Sequence, residues 1–172
     1  MMFKYSTLIA SLAVLAFGFN GCKDEVSTPS TPTVELKNHS ATPALVKKMS
    51  GFESVEVFSL IGSDDKLTDS PNFTFGGSAD GMGWLKHSDG GFSMILNYED
   101  NYSVSRVTFD KTLKPVKGEY ILNSDGGTWR LCSATMATPE EHGFGPTFLT
   151  CGESGEESRT HAINPLDPAS NA

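Results

Sequence analysis

The sequence predicts an all-β domain, and three observations support this prediction. Short apolar stretches rich in β-branched and aromatic residues recur along the chain, each bounded by the Gly, Asp, Asn or Ser residues of tight turns. After residue 61 no stretch has the apolar period of an amphipathic helix. Two similar stretches also recur, with their glutamates 54 residues apart. Short strands separated by turns are typical of a sandwich, a barrel or a propeller.

The predicted strands come in order along the chain, and a turn signal separates each from the next. They are Ser54–Ile61, Phe73–Phe75, Gly83–Lys86, Phe92–Leu96, Ser103–Phe109, Gly118–Leu122 and Thr147–Cys151. Residues 87–91 contain Asp89-Gly90, which favours the tight turn of a hairpin. Because of their size and apolar character, Trp84 and Trp129 are predicted to pack in the core.

The repeat consists of Phe92–Glu99 and Thr147–Glu153, each of which places a glutamate just beyond an apolar strand. The spacing is close to the ~40 to 50 residues of one propeller blade. If the two stretches are equivalent, matching strand ends would direct Glu99 and Glu153 toward one shared face or channel.

The N-terminus has the pattern of a secretory signal. Lys4 precedes the uncharged run Leu8–Phe19, whose 12 residues are too few to span a bilayer, which takes about 20 residues. Gly21-Cys22 then resembles the lipobox of bacterial lipoproteins. The resemblance implies that Cys22 is lipidated and that the chain is exported and anchored to the cell envelope of a Gram-negative bacterium. The alternative is ordinary signal cleavage, which leaves an odd cysteine.

The charged residues Lys23-Asp24-Glu25 resemble the acidic tethers of lipoproteins sent to the outer membrane or the cell surface, so we expect one of these locations. The domain organisation is then a signal peptide (1–21), a Ser/Thr/Pro-rich linker (22–43) and a β domain (44–172). Prolines make the linker an extended, disordered spacer without a core. About 130 residues remain for the domain, enough to bury a core.

The net charge narrows the choice of partners. The chain carries −8, and removing the signal peptide with Lys4 makes it −9. Such a balance argues against nucleic acid as a partner and against contact with an anionic membrane surface, so the lipid anchor is the expected membrane contact. An acidic protein also suits the binding of cations.

The stretch Trp129–Ser158 contains two thiols, five carboxylates and a histidine. Soft sulfur beside hard oxygen suits a mixed site for a transition metal and calcium. The alternative is a turn-rich β segment with a solvated acidic loop. For the thiols a second alternative is a Cys132–Cys151 disulfide, which oxidising compartments favour and which would contribute roughly 3 kcal/mol.

A series of short motifs favours the metal site, although the disulfide stays open. Asp80-Gly81-Met82 is followed by Asn97-Tyr98-Glu99, then by Cys132, and then by Phe148–Glu153. This order resembles the PhoX-type alkaline phosphatases, secreted bacterial β-propeller enzymes that hydrolyse phosphomonoesters with a cluster of iron and calcium. The resemblance spans roughly residues 74–160. It implies that Cys132 binds iron and that Glu153, Glu99 and Asp80 are further metal ligands, while no catalytic residue is assigned.

The chain also departs from that family. Tyr98 replaces a histidine, Gly152 replaces a glutamate, and Ala134-Thr135 replace a glycine pair. A propeller needs at least four blades, whereas about 130 residues supply two or three. We therefore expect an incomplete β-propeller of two to three blade-like antiparallel sheets.

Such a chain would be a truncated or divergent phosphomonoesterase that is inactive alone, and a metal-dependent hydrolase only if the family site is complete. The alternative is a non-catalytic cell-envelope lipoprotein whose β domain binds a ligand or partner, with or without calcium.

Overall fold

A computed structural model describes residues 34–124 and 128–167, and almost all regular structure in these residues is β. The predicted signal peptide (1–21), Cys22 and the first part of the predicted linker lie outside the described residues. No helix within the described ranges is long and apolar enough to cross a membrane.

The first sheet is an antiparallel meander of four strands. They are β1 (Ala79–Lys86), β2 (Phe92–Tyr98), β3 (Ser103–Phe109) and β4 (Pro115–Leu122), in the order β1-β2-β3-β4. The predicted hairpin between β1 and β2 is confirmed, with the His87 N–H donating to the Gly91 carbonyl at 2.9 Å. Its Asp89-Gly90 turn works because Gly90 has a φ of +90°, which glycine adopts without strain.

The second sheet has three antiparallel strands, β5 (Leu131–Ala137), β6 (Thr147–Gly152) and β7 (Thr160–Ile163). A one-turn helix, α1 (Pro139–His142), joins β5 to β6, and the Thr138 hydroxyl caps it by accepting from the Glu141 N–H. The all-β prediction is thus confirmed as two antiparallel sheets. The described residues do not close into a propeller ring.

Strand β2 lies at the centre of the molecule because both of its faces are buried. One face contributes to a core with β3 and the irregular N-terminal segment, made of Leu67, Phe73, Met94, Leu96, Tyr98, Val107 and Phe109. The other face contributes to a core between the two sheets, made of Ile95, Val104, Ile121, Leu131, Met136, Phe148 and Ile163. The two sheets therefore pack face to face.

The closest contact between the sheets is where β1 meets β5, and it depends on glycine. A Cβ atom added to Gly81 would lie 2.0 Å from the Cys132 carbonyl oxygen, and one added to Gly83 would lie 2.7 Å from the Met136 Cβ. No side chain fits at either distance. The two glycines allow the backbones of the two sheets to touch.

The strand predictions for Ser54–Ile61 and Phe73–Phe75 are wrong. Both stretches are irregular, and neither pairs with a strand. Leu60, Ile61 and Phe75 pack against the core that contains Phe73, whereas Val55 and Val57 are 45% and 41% exposed. Trp84 and Trp129, predicted in the core, are 41% and 40% exposed.

The end of the predicted linker lies against the domain. Asn38 Oδ1 accepts from the Ser59 N–H at 2.8 Å, and the His39 N–H donates to the Ser59 carbonyl at 2.8 Å. The Ala41 N–H donates to Asp65 Oδ1 at 2.7 Å. These bonds extend the ordered domain to the N-terminal side of residue 44.

Candidate metal centre

The four predicted metal ligands lie at one end of the two sheets. Glu99 directly follows β2 and Glu153 directly follows β6, while Asp80 and Cys132 lie near the starts of β1 and β5. Because β1 and β2 are antiparallel, as are β5 and β6, each start lies beside the following strand's end. The contact between β1 and β5 then brings the two pairs together.

Backbone irregularities hold Asp80 and Cys132. The register of β1 against β2 shifts between Ala79 and Met82, and that of β5 against β6 shifts between Leu131 and Ser133. Asp80 and Cys132 lie inside these two shifts. Bulges of this kind redirect a side chain, and they are frequent next to active sites.

Three of the four residues converge. One ligand atom each from Asp80, Glu99 and Cys132 lies within 4.8 Å of the other two, with Asp80 exposed and the other two half-buried. Glu153 is exposed and is not one of these three, but it is close enough to influence the Cys132 thiol. The cluster therefore opens to solvent on the side of Asp80 and Glu153.

The Cys132 thiol has a pKa raised to about 12. The largest cause is burial, followed by the hydrogen bond and negative charge of Asp80 and then by the charge and hydrogen bond of Glu153. Nucleophilic and redox-active cysteines have a lowered pKa, so this environment does not activate the thiol for attack. A metal ligand needs the thiolate, which a cation among these carboxylates would favour.

Arg130 also lies in this region, and the motifs in the sequence do not predict it as a site residue. Its Nε lies 3.4 Å from Glu99 Oε1, and its carbonyl oxygen accepts from the Glu153 N–H at 3.1 Å and from Cys132 Sγ at 3.4 Å. Arg130 thus contacts three of the four predicted ligands. In the sequence it is the single Lys or Arg of an otherwise acidic stretch, which does not by itself indicate that it lies beside the predicted ligands.

The backbone around the cluster is strained. Three non-glycine residues there have positive φ angles, Ser78 (+48°), Tyr102 (+49°) and Arg130 (+44°). Each follows or precedes a predicted ligand by two or three positions. Such conformations cost on the order of 1 kcal/mol each and persist where the surrounding structure fixes them, often at functional sites.

Asn97 connects the two sheets beneath the cluster. It is fully buried, and its Nδ2 donates to the Cys132 carbonyl at 3.1 Å and to Thr150 Oγ1 at 2.8 Å. Its Oδ1 is buried without a hydrogen-bond partner among the described residues. Carboxamide oxygens are among the ligands that calcium accepts.

Cys132 and Cys151 are both free thiols. Across the β5–β6 ladder the residue opposite Cys151 is Ser133, and Cys132 lies in the irregularity beside it.

The helix α1 contains other acidic residues and the histidine of this stretch, namely Glu140, Glu141 and His142. It follows β5, so these residues lie at the end of β5 away from Cys132. There Glu140 and Glu141 line a 470 Å³ groove together with His87.

The chain matches no protein-family model, and comparisons with curated proteins and with solved structures give no match.

Proposed function

We propose that the chain is a divergent PhoX-like domain that binds a transition-metal ion through Cys132, Asp80 and Glu99, with Glu153 beside them. One observation carries this proposal. Three side chains from separate parts of the sequence, two of them in bulges, bring a sulfur and two carboxylates within 4.8 Å of one another. The motif order in the sequence predicts the same residues as ligands.

The donor set fits a transition metal better than calcium as the first ion. A thiolate is a soft ligand that suits iron, cobalt or zinc, whereas calcium takes six to eight oxygens. Ligand atoms around a tetrahedral ion are about 3.5 Å apart, so a bound ion would draw together any pair of these atoms that lies near the 4.8 Å limit. The resemblance implies calcium in the cluster as well, and calcium would use the carboxylates together with the unpaired Asn97 oxygen.

The substrate class proposed is a phosphomonoester. A bound ion would act as a Lewis acid toward phosphate oxygens. Asp80 and Glu153 are exposed and would border the substrate side of the site, whereas Cys132 and Glu99 are half-buried and would hold the ion from below. Because three protein donors converge among the residues that the structure describes, fewer than a complete cluster needs, we expect this chain alone to have little or no activity.

The proposal includes an incomplete β-propeller, and the form of the two sheets supports it. Four-stranded antiparallel meanders are the blades of propellers, and the first sheet has this form. The second sheet repeats its first three strands, and Glu99 and Glu153 follow the equivalent strands β2 and β6. The export signal and Cys22 complete the proposal, with lipid anchoring at the Gram-negative outer membrane or cell surface.

A non-catalytic binding domain is the second candidate, and the Arg130–Glu99 ion pair favours it. At 3.4 Å the guanidinium already supplies a positive partner to one of the proposed ligands. Under this alternative the domain holds a ligand or partner without iron.

Metal content separates the two candidates. Cys22→Ser is placed in the full chain, so that Cys132 and Cys151 are the remaining thiols, and the protein is purified in detergent and loaded with Fe²⁺ or Co²⁺. We expect one tightly bound ion per chain, lost in Cys132→Ala and kept in Cys151→Ala. Hydrolysis of a phosphomonoester is assayed on the same samples. A folded chain without bound ion, or equal loss in both variants, would contradict the metal site.

A further inference from the structure

Arg130 contacts the candidate metal centre through one nitrogen of its guanidinium. Its Nε faces Glu99 at 3.4 Å, while the side chain as a whole is 52% exposed. Arginine has five N–H donors in a planar fork, which matches the oxygen pairs of phosphate. Solvent therefore has access to an arginine whose other end is fixed beside the proposed ligands.

The main chain ties Arg130 to the site. Its carbonyl oxygen accepts from the Glu153 N–H and from Cys132 Sγ, and its φ of +44° is one that only a constrained non-glycine residue keeps. Backbone and side chain together thus contact Glu153, Cys132 and Glu99. Any rearrangement of these residues around an ion also moves the guanidinium.

A second, independent observation points to a ligand here. Asn97 is fully buried near the end of β2 and lies two residues before Glu99, which directly follows the strand. Its amide nitrogen bonds the Cys132 carbonyl, yet its Oδ1 has no partner among the residues that the structure describes. Buried polar atoms are nearly always paired, and an unpaired acceptor calls for a donor or a cation, so this oxygen supports an ion at the cluster to which phosphate could then bind.

We propose that Arg130 is an oxyanion-binding residue that couples phosphate to the metal site, an inference that rests on the proposed function. Without an ion, Glu99 is the partner of the guanidinium. When an ion takes Glu99 as a ligand, the guanidinium is released toward a phosphate oxygen beside the ion. Metal and phosphate then strengthen each other's binding by the same factor.

The ligand class is a tetrahedral oxyanion, either the phosphate group of a substrate or free inorganic phosphate. Both present paired oxygens to arginine, and both place negative charge near the ion. Inorganic phosphate is the simpler probe because it cannot be hydrolysed. Comparing it with glycerol phosphate shows whether the site accepts an esterified phosphate as well.

The test is a Co²⁺ titration of the full chain with Cys22→Ser, followed by the thiolate-to-cobalt absorption band. It is run in chloride and in phosphate at equal ionic strength. We expect phosphate to lower the apparent Kd for Co²⁺ about fivefold or more, a typical size for coupled sites. Arg130→Gln should abolish this effect. Lys111→Gln is the matched control, since it removes a positive charge from the turn after β3, at the other end of the sheet.

Phosphate also binds free Co²⁺, but equally in every sample, so the comparison between variants isolates the protein. Arg130→Gly is a second variant that removes the side chain and relieves the positive φ, so it should fold even if Arg130→Gln does not. An equal phosphate effect in the parent chain and in these variants would overturn the role of Arg130 and leave the metal site intact. A parent chain without a thiolate-to-cobalt band would overturn both.

Discussion

Tyr98 and Glu99 are neighbours in the sequence but serve opposite faces of the first sheet. Side chains alternate along a strand, so Tyr98 points into the core with Phe75 and Ser105, while Asn97 and Glu99 point toward the second sheet. Tyr98 stands where the family that the sequence resembles has a histidine. Here it is a core residue, and burial raises the pKa of its hydroxyl further above the usual value.

Tyr98→Phe should therefore affect stability and leave metal binding unchanged. The Tyr98 hydroxyl and Ser105 Oγ are 2.8 Å apart and fully buried, so the variant leaves the serine without its partner. We expect the free energy of unfolding to fall by about 1 to 2 kcal/mol, measured by urea denaturation.

Tyr120→Phe is the matched control, since its hydroxyl bonds the Thr74 carbonyl at 3.0 Å at an exposed position. Its loss should be smaller, and the Kd for Co²⁺ should match the parent in both variants. A Tyr98→Phe chain with weakened cobalt binding would show that the residue supports the site after all.

At the scale of single residues, the sequence predicts which side chains share a site better than it predicts the backbone conformation that brings them together. The order of Asp80, Glu99 and Cys132 leads to the expectation that they share a site, and they do converge, although their role as ligands stays a prediction. Arg130 could not be foreseen, because its place depends on a positive φ and on the bulge at Cys132. Neither feature has a signal in the residue types.

Among the elements, β1 and β5 determine how the two sheets meet. Gly81 contacts the β5 backbone directly, and a Cβ there would overlap the Cys132 carbonyl and lie 2.7 Å from the Ala134 nitrogen. Both neighbours are backbone atoms, which cannot rotate away as a side chain would. The contact is therefore intolerant of any larger residue.

Gly81→Ala should lower the free energy of unfolding by about 2 to 4 kcal/mol, because it forces two packed strands apart. It should also weaken Co²⁺ binding, since Asp80 and Cys132 belong to the separated strands. The comparison is Gly62→Ala, where the nearest atom to the new Cβ is the Ser40 hydroxyl at 3.4 Å. Urea denaturation of the two variants measures the difference, and similar stabilities would mean that the sheets adjust easily.

The β1–β2 hairpin, β3 and β6 could be predicted from turn residues and from alternating or continuous apolar residues. Strands β2, β3 and β6 each pair with a strand on both sides. Ser54–Ile61 has the same alternation but pairs with no strand, so Leu60 and Ile61 at its end pack against the core while Val55 and Val57 stay exposed. Strand β5, of sequence Leu-Cys-Ser-Ala-Thr-Met-Ala, has small and polar residues in its middle. Contact with the glycines of β1 requires small residues there, and that requirement hides the strand in the sequence.

For the whole molecule, carboxylates with a lowered pKa make the free energy of unfolding depend on pH in the acidic range. Burial raises the pKa of Glu119, but hydrogen bonds and charge from Arg106 and Lys117 outweigh it, so the pKa lies below the usual 4.5. Hydrogen bonds from Thr112 and Lys114 likewise leave the pKa of Asp110 below 3.8 despite burial. A group with a lowered folded pKa stabilises the protein above its unfolded pKa, and this stabilisation is lost as the pH falls through the folded value.

We therefore expect the free energy of unfolding to decline as the pH falls below about 4.5. Glu119→Gln should make the decline shallower, because it removes one of the groups that take up a proton on unfolding. Glu56→Gln, at an exposed position of the irregular N-terminal segment, is the control. Urea denaturation at pH 6, 5, 4 and 3 provides the measurement, and parallel curves for Glu119→Gln and the parent would contradict the assignment.

The proposed ligands are divided between the two sheets. Asp80 and Glu99 belong to the first sheet, and Cys132 and Glu153 to the second. An ion held by all four would bridge the interface, so its coordination would change whenever the spacing between the sheets changes. The visible absorption spectrum of the cobalt-loaded protein would then report changes in that spacing in solution, as the protein is heated, mutated or mixed with a ligand.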